Sequence, residues 1–185
     1  MKKNYILILI LVLVLALSSC SSMAQPADGC ESLQPQNGDI QYALNFGSNL
    51  FTETDWQRSY MVQDLKAYVS WTHRSVPAIA DVSMLLFCDE GGTKDVGSWY
   101  FTPENVQSMF LDYDQTAITK SCGVENLLLY ELEAVEENVK YDIRLWAKTF
   151  NDTRVLTVLV VFPDNQKPLL GTYSQEFFPE LPACP

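Results

Sequence analysis

The sequence predicts one α+β domain with an antiparallel sheet, a C-terminal three-strand meander and two helices packed on the sheet. Three features predict this architecture. Residues 139–150 alternate between apolar and polar side chains, which is typical of a strand with one buried face. Residues 155–162 are nearly all apolar, which indicates a central strand buried on both faces. Thr102-Pro103-Glu104 is a helix start, because threonine caps, proline fits the first helical position and an acid suits the first turn.

The first half of the domain is less regular. Residues 30–55 are mixed and rich in glycine and asparagine, so we expect irregular structure there. Residues 56–72 fit both a helix and a strand, and the aromatic and β-branched residues at 67–72 favour a strand. Pro77 breaks that strand, and residues 78–88 are expected to form a second, apolar strand that ends at the turn at residues 89–92.

The second half begins with the helix after Thr102, which we expect to run to about Asp114. Three strands follow Cys122, at about residues 128–134, 139–150 and 155–162, and they form the meander. A last helix is expected at about residues 169–178, before a proline-rich tail. This order of elements is similar to that of the PsbP and Mog1 domains, several of which are lipoproteins, and the likeness implies a fold only.

The chain opens with a predicted export leader. Lys2 and Lys3 precede an unbroken apolar run at residues 5–17, and small polar residues follow, which is the order of a secretory signal. The run has 13 residues, whereas a helix needs about 20 to cross a bilayer core of about 30 Å. We therefore predict a signal segment rather than a permanent membrane span.

Leu17-Ser18-Ser19-Cys20 resembles the lipobox of bacterial lipoprotein precursors, with a branched aliphatic residue and two small residues before the cysteine. The resemblance covers residues 1–20 and implies that Cys20 is acylated, becomes the first residue and holds the protein on a membrane. It therefore implies an extracytoplasmic protein of the cell envelope. Ser21 is not the aspartate that marks inner-membrane retention, which favours the outer membrane in a diderm host and the outer leaflet of the only membrane in a monoderm host. The alternative is cleavage after Ala24 and secretion.

The resulting organisation is a signal at residues 1–19, a lipid-anchored flexible tether at 20–30 and a single domain at 31–185. Loss of the signal removes two lysines and no acid, so the net charge changes from −11 to −13. Such a charge repels phosphate backbones and anionic headgroups, which disfavours nucleic acid and leaves membrane contact to the lipid. No glycine-rich phosphate loop follows any predicted strand, and we expect no cofactor.

Assigning Cys20 to the lipid leaves Cys30, Cys88, Cys122 and Cys184, and four cysteines in an exported chain predict two disulfides. We expect Cys88–Cys122, which would fasten the helix-bearing connection, and Cys30–Cys184, which would tie the chain ends. The other two pairings stay open, because sequence alone does not exclude them.

A candidate binding surface lies on the strand at residues 139–150. Its polar face combines cations with two large aromatic side chains, which suits stacking on a sugar ring or contact with an acidic loop. The residues of this predicted surface are Lys140, Arg144, Trp146, Lys148 and Phe150. The alternative is that Trp146 and Phe150 pack beneath the N-terminal segment or a helix.

No catalytic group stands out. The single histidine, His73, lies in or just after a predicted strand and is interpreted as a loop-end residue. Acids near residues 89–95 and 112–114 do not complete a calcium loop, and we expect no metal site. The predicted function is therefore a non-enzymatic binding or assembly module with a protein or glycan ligand. The alternative is a small extracytoplasmic hydrolase that uses carboxylates.

Overall fold

The computed structural model describes residues 33–48, 50–63, 66–88, 92–151 and 153–185, and Leu33–Pro185 form one compact unit. Its centre is a seven-stranded antiparallel sheet in the order β1-β2-β3-β7-β6-β5-β4. The predicted α+β class with an antiparallel sheet is therefore confirmed. The strands are β1 (Trp56–Gln63), β2 (Lys66–His73), β3 (Ile79–Leu86), β4 (Gln115–Val124), β5 (Leu127–Glu136), β6 (Val139–Asn151) and β7 (Arg154–Pro163).

The described residues contain four α-helices, where the sequence predicted two. They are α1 (Asn37–Ser48), α2 (Val96–Trp99), α3 (Pro103–Ser108) and α4 (Lys167–Phe177), and a short 3-10 turn precedes α4. None of these helices has both the length and the apolar character that spanning a membrane requires. The leader and the tether lie outside the described residues, so their assignments stay predictions.

The sheet consists of two meanders. Strands β1, β2 and β3 form one, strands β4 to β7 form the other, and antiparallel pairing of β3 with β7 joins them. β7 is a central strand, as its apolar run predicted. The C-terminal meander has four strands rather than three. The sequence missed β4 because its side chains are exposed or only partly buried, and an edge strand of this kind carries no apolar run.

One further prediction in the first half was wrong, and one strand of this half was missed. The region expected to be irregular contains α1, whose buried positions are Asp39 and the small Ala43 and Gly47. At Gly47 an added Cβ would lie 2.4 Å from the Trp71 ring, so glycine permits helix and sheet to approach closely. The strand favoured at residues 67–72 is confirmed as β2, but the sequence missed β1, which forms a hairpin with it. The hairpin turn was missed because residues 56–72 contain no glycine, proline or asparagine.

The helix start at Thr102 is confirmed. The Thr102 hydroxyl accepts a hydrogen bond from the Asn105 N–H at 3.3 Å, and Pro103 is the first helical residue. α3 nevertheless ends at Ser108 rather than near Asp114. The chain turns there because Phe110 enters the core, while the N–H groups of Met109 and Phe110 bond to carbonyls three residues back.

Each face of the sheet has its own core. On the helix face, α1 packs over β2 and β3, α4 packs over β7, and the core includes Trp56, Trp71, Trp146 and Phe178. The opposite face, here called the loop face, is covered by the connection that contains α2 and α3, and its core includes Phe101, Val106 and Tyr130. The β6 alternation therefore separates two buried faces over much of the strand.

Candidate binding surface

Trp146 belongs to the core rather than to an exposed surface. Its side chain is 0% exposed, its ring lies 5.4 Å from the Phe178 ring, and its Nε1 donates to the Leu181 carbonyl at 2.9 Å. The predicted surface on β6 is therefore corrected at its centre, because the C-terminal tail, residues 178–185, covers it. The predicted alternation of β6 is present, but around Trp146 the C-terminal tail covers the polar face.

The charged neighbours of Trp146 hold the same tail. Arg144 donates to the Pro182 carbonyl at 2.7 Å and pairs with Glu131 at 3.3 Å, while Lys148 pairs with Glu180 at 3.1 Å. The Glu131 carboxylate also accepts from the Cys184 N–H at 3.3 Å. The β6 side chains thus bind the protein's own C-terminal tail, which runs through a turn and bends.

The two outer members of the predicted surface are separated from this site. Phe150 is 44% exposed near the end of β6 and meets the Tyr42 ring edge to face at 5.0 Å. Lys140 is exposed next to the first residue of the same strand. The five predicted residues do not converge on one ligand position.

The predicted disulfide pairing was wrong, because Cys122 is bonded to Cys184. That bond joins β4 to the tail, a contact between distant segments that sequence spacing could not indicate. Cys88 is also disulfide-bonded. Its partner is not Cys122, because Cys122 is bonded to Cys184. Cys20 and Cys30 lie outside the described residues.

The single histidine and the buried carboxyl groups each have separate local contacts. His73 ends β2, and its Nδ1 accepts from the N–H groups of Ser75 and Val76 at 3.2 and 3.3 Å, which orders the turn. Two buried carboxyl oxygens lack a hydrogen-bond partner in the described structure, at Asp81 and Asp142. The other oxygen of Asp142 binds Lys167 on the helix face, whereas Asp81 lies on the loop face, so these two acids do not form a pair.

Burial raises the pKa of Asp81, and a hydrogen bond from Ser70 and the charge of Lys66 offset that effect only in part. Among the described residues, no group of three or more His, Cys, Asp or Glu side chains is arranged to hold a metal. Asp114 instead accepts from the Glu137 N–H at 3.0 Å and so supports a hairpin. Asp89 and Glu90 lie outside the described ranges.

A cavity of about 680 Å³ lies where β4, β5 and β6 meet the connection that leads to α2. Much of its polar lining is already bonded within the loops. Thr93 donates to the Asn151 carbonyl, Ser98 donates to the Asp95 carbonyl at 2.7 Å, and Asn126 donates to the Thr149 carbonyl at 2.7 Å. We interpret this cavity as the space between ordered loops.

A second candidate binding surface lies along β1, which is an edge strand of the sheet. Within the described ranges no strand pairs with the outer side of β1, so that side offers backbone N–H and C=O groups. Tyr60 is 69% exposed and Val62 is 46% exposed. They lie on the helix face, because Tyr60 pairs with Val69 and Val62 with Ala67, and both partners are buried.

A small cavity of about 90 Å³ lies beside the start of β1 on the same face. Its volume corresponds to about three water molecules at about 30 Å³ each, or to a short aliphatic side chain. Three aromatic and three polar or charged residues line it, from β1, β2, the end of α1 and the connection after α1: Ser48, Phe51, Glu53, Trp56, Arg58 and Trp71. We call the outer side of β1 together with this cavity the β1 surface.

Comparison with known proteins assigns no family. No family model matches the sequence, and no curated protein is significantly similar to it. The β1 surface was not predicted from the sequence. The signal that could have indicated it is the absence of any acid from Trp56–Gln63 in a chain whose net charge is −11.

Proposed function

We propose that this protein is a lipid-anchored, extracytoplasmic binding module that holds a second protein at the cell envelope through the β1 surface. The observation that carries the proposal is the exposure of Tyr60 and Val62 beside an unpaired strand edge and an aromatic cavity. Neighbouring exposed apolar residues on an unpaired strand edge are typical of interaction sites. The lipobox at residues 17–20 supports the anchored location.

The charge distribution supports a protein partner for this surface. Arg58 is the only charged residue of β1, and its contact with Glu53 is long, at 4.0 Å, with both side chains well exposed. Such an exposed pair contributes little and exchanges readily for another partner. The surface can therefore accept neutral or acidic protein segments, although the chain as a whole is strongly acidic.

Site-specific photo-crosslinking in the organism that makes the protein tests the binding role. A photoreactive residue at Tyr60 should give one reproducible protein adduct. The same residue at Leu111, which is 79% exposed on the connection between α3 and β4, serves as the matched control. Identical adducts at both positions, or none at Tyr60, would contradict the proposed binding surface.

Detergent partitioning tests the anchor separately. The wild-type protein is expected in the detergent phase with an acylated N-terminal Cys20, and the Cys20→Ala variant in the aqueous phase. A wild-type protein that stays aqueous and begins at Gln25 would show secretion instead. That result would remove the anchor and leave the binding surface untouched.

A further inference from the structure

The two edges of the sheet differ in the features that usually prevent pairing with another chain. β4 contains a register shift between Ile118 and Lys120, and the Gln107 side chain donates to its Thr116 carbonyl at 3.1 Å. β1 pairs with β2 through eight consecutive residues without a register shift. Bulges and covered carbonyls protect edges, whereas a regular exposed edge is a template for another strand.

β1 also has the side-chain arrangement of a strand-addition site. Arg58, Tyr60 and Val62 lie on the helix face at every second position, and the small cavity lies beside Arg58 at one end of this row. An added strand has the same two-residue period. Its apolar residues would therefore meet Tyr60 and Val62, while one aliphatic side chain enters the cavity.

Charge distinguishes a foreign partner from a second copy. Two copies of this chain would each bring a net charge of −11 before processing, and like charges oppose association. β1 itself carries Arg58 and no acid. An aspartate or glutamate on the incoming strand would gain a partner in Arg58, and a lysine at the same place would meet a like charge.

We propose that β1 accepts an extended segment of another protein by antiparallel or parallel strand addition. The segment has aliphatic residues at alternate positions and an acidic residue facing Arg58. This proposal rests on the proposed function, because it names the partner chemistry of the β1 surface. The segment's backbone supplies much of the affinity, and its side chains at the cavity and at Arg58 supply selectivity.

The first test uses synthetic peptides with the full-length protein. The probe has eight residues, alternates valine with threonine and contains one aspartate, and binding is followed by titration calorimetry and tryptophan fluorescence, since Trp56 and Trp71 line the cavity. N-methylation of alternate backbone nitrogens should weaken binding at least about tenfold, because it removes several backbone hydrogen bonds. Replacing the peptide's aspartate by lysine should weaken binding about threefold or more, and Arg58→Glu should reverse that preference.

Proline substitutions in β1 test whether backbone N–H groups of the protein also contribute to peptide binding. Consecutive strand residues direct their N–H groups to opposite sides, so one of Ser59→Pro and Tyr60→Pro removes an outward N–H and leaves the β2 ladder intact. The variant that retains the native circular dichroism should lose the peptide. Tyr60→Ala serves as the control for loss of the ring, and Leu111→Ser should bind as the wild type does.

Each remaining outcome decides against a defined part of the proposal. Equal affinity for the methylated and unmethylated peptides, or no binding up to about 1 mM, would overturn strand addition. If the Tyr60 crosslink persisted in that case, the binding surface would stand without strand addition.

Sedimentation velocity tests whether a second copy occupies β1, and it should show a monomer for the Cys20→Ala protein. A dimer that a proline at β1 abolishes would make a second copy the occupant and overturn the foreign segment.

Discussion

The two edge strands of this sheet are built in opposite ways. β4 carries a register shift, a side-chain hydrogen bond on Thr116, and a disulfide from Cys122 to the C-terminal tail. Lys120 also binds the carbonyls of Cys184 and Pro185 at 3.3 and 3.1 Å. Within the described residues, β1 pairs with β2 alone, and its Trp56 belongs to the core on the helix face.

The proposed binding site thus lies at the sheet edge that has fewer stabilising contacts among the described residues. Side chains of β4 and β6, which include three cations and a tryptophan, bind the C-terminal tail of the same chain. β1 exposes the groups with which another segment could bind in trans. Substitutions near β4 should therefore change folding stability, and substitutions on β1 should change partner binding.

The largest expected effect is at Trp146. Trp146→Ala removes a fully buried indole that contacts Phe178 and donates to Leu181, so unfolding free energy should fall by about 3–5 kcal/mol. Phe150→Ala, on the same strand but 44% exposed, is the matched control and should cost less than about 1 kcal/mol. Urea unfolding measures both. Equal losses would contradict the burial of Trp146 beneath the tail.

The disulfide at the β4 edge should rank next. Replacing both Cys122 and Cys184 by serine opens a connection of 62 residues, and the expected loss of unfolding free energy is about 2–4 kcal/mol. Reduction of the wild-type protein should also weaken the tail. Peptide mapping without reductant should find Cys122 joined to Cys184, and a Cys88–Cys122 peptide would refute the tail connection.

How far these features could be predicted depends on whether their cause is local. The β6 alternation, the apolar β7 run and the Thr102 cap act within a few residues, so their elements were predicted. α1 requires Gly47 to meet Trp71, and the cover over Trp146 comes from residues 178–185, so neither was visible in the sequence. The β1 surface was missed because periodicity does not show which strand becomes an edge.

A smaller, pH-dependent effect on the free energy of unfolding is expected at Asp81 in β3. Because burial raises its pKa, the native state favours the neutral acid, and stability falls as pH rises from the ordinary carboxyl pKa through the raised value. Asp81→Asn should therefore stabilise the protein by about 1 kcal/mol at pH 7. Thermal unfolding should show this gain shrinking toward pH 4, and a gain independent of pH would contradict the cause.

The smallest effect on stability is expected on β1 itself. Tyr60→Ser should change unfolding free energy by no more than about 0.5 kcal/mol, because the ring is 69% exposed. Its cross-strand neighbour Val69 is fully buried, and Val69→Ala should cost more than about 1.5 kcal/mol. Chemical unfolding separates the two. A large loss from Tyr60→Ser would make β1 a structural element and remove the contrast between the edges.

The tail connection also sets an order in time. Cys184 follows Cys122 by 62 residues, an interval of about 3–12 s at synthesis rates of about 5–20 residues per second. During that interval the Cys122 thiol exists without its native partner, and β7 and α4 have yet to be completed. The bond can therefore form only after the residues of β7 and α4 have been made, so its appearance in a pulse-labelled chain shows that both segments have been synthesised.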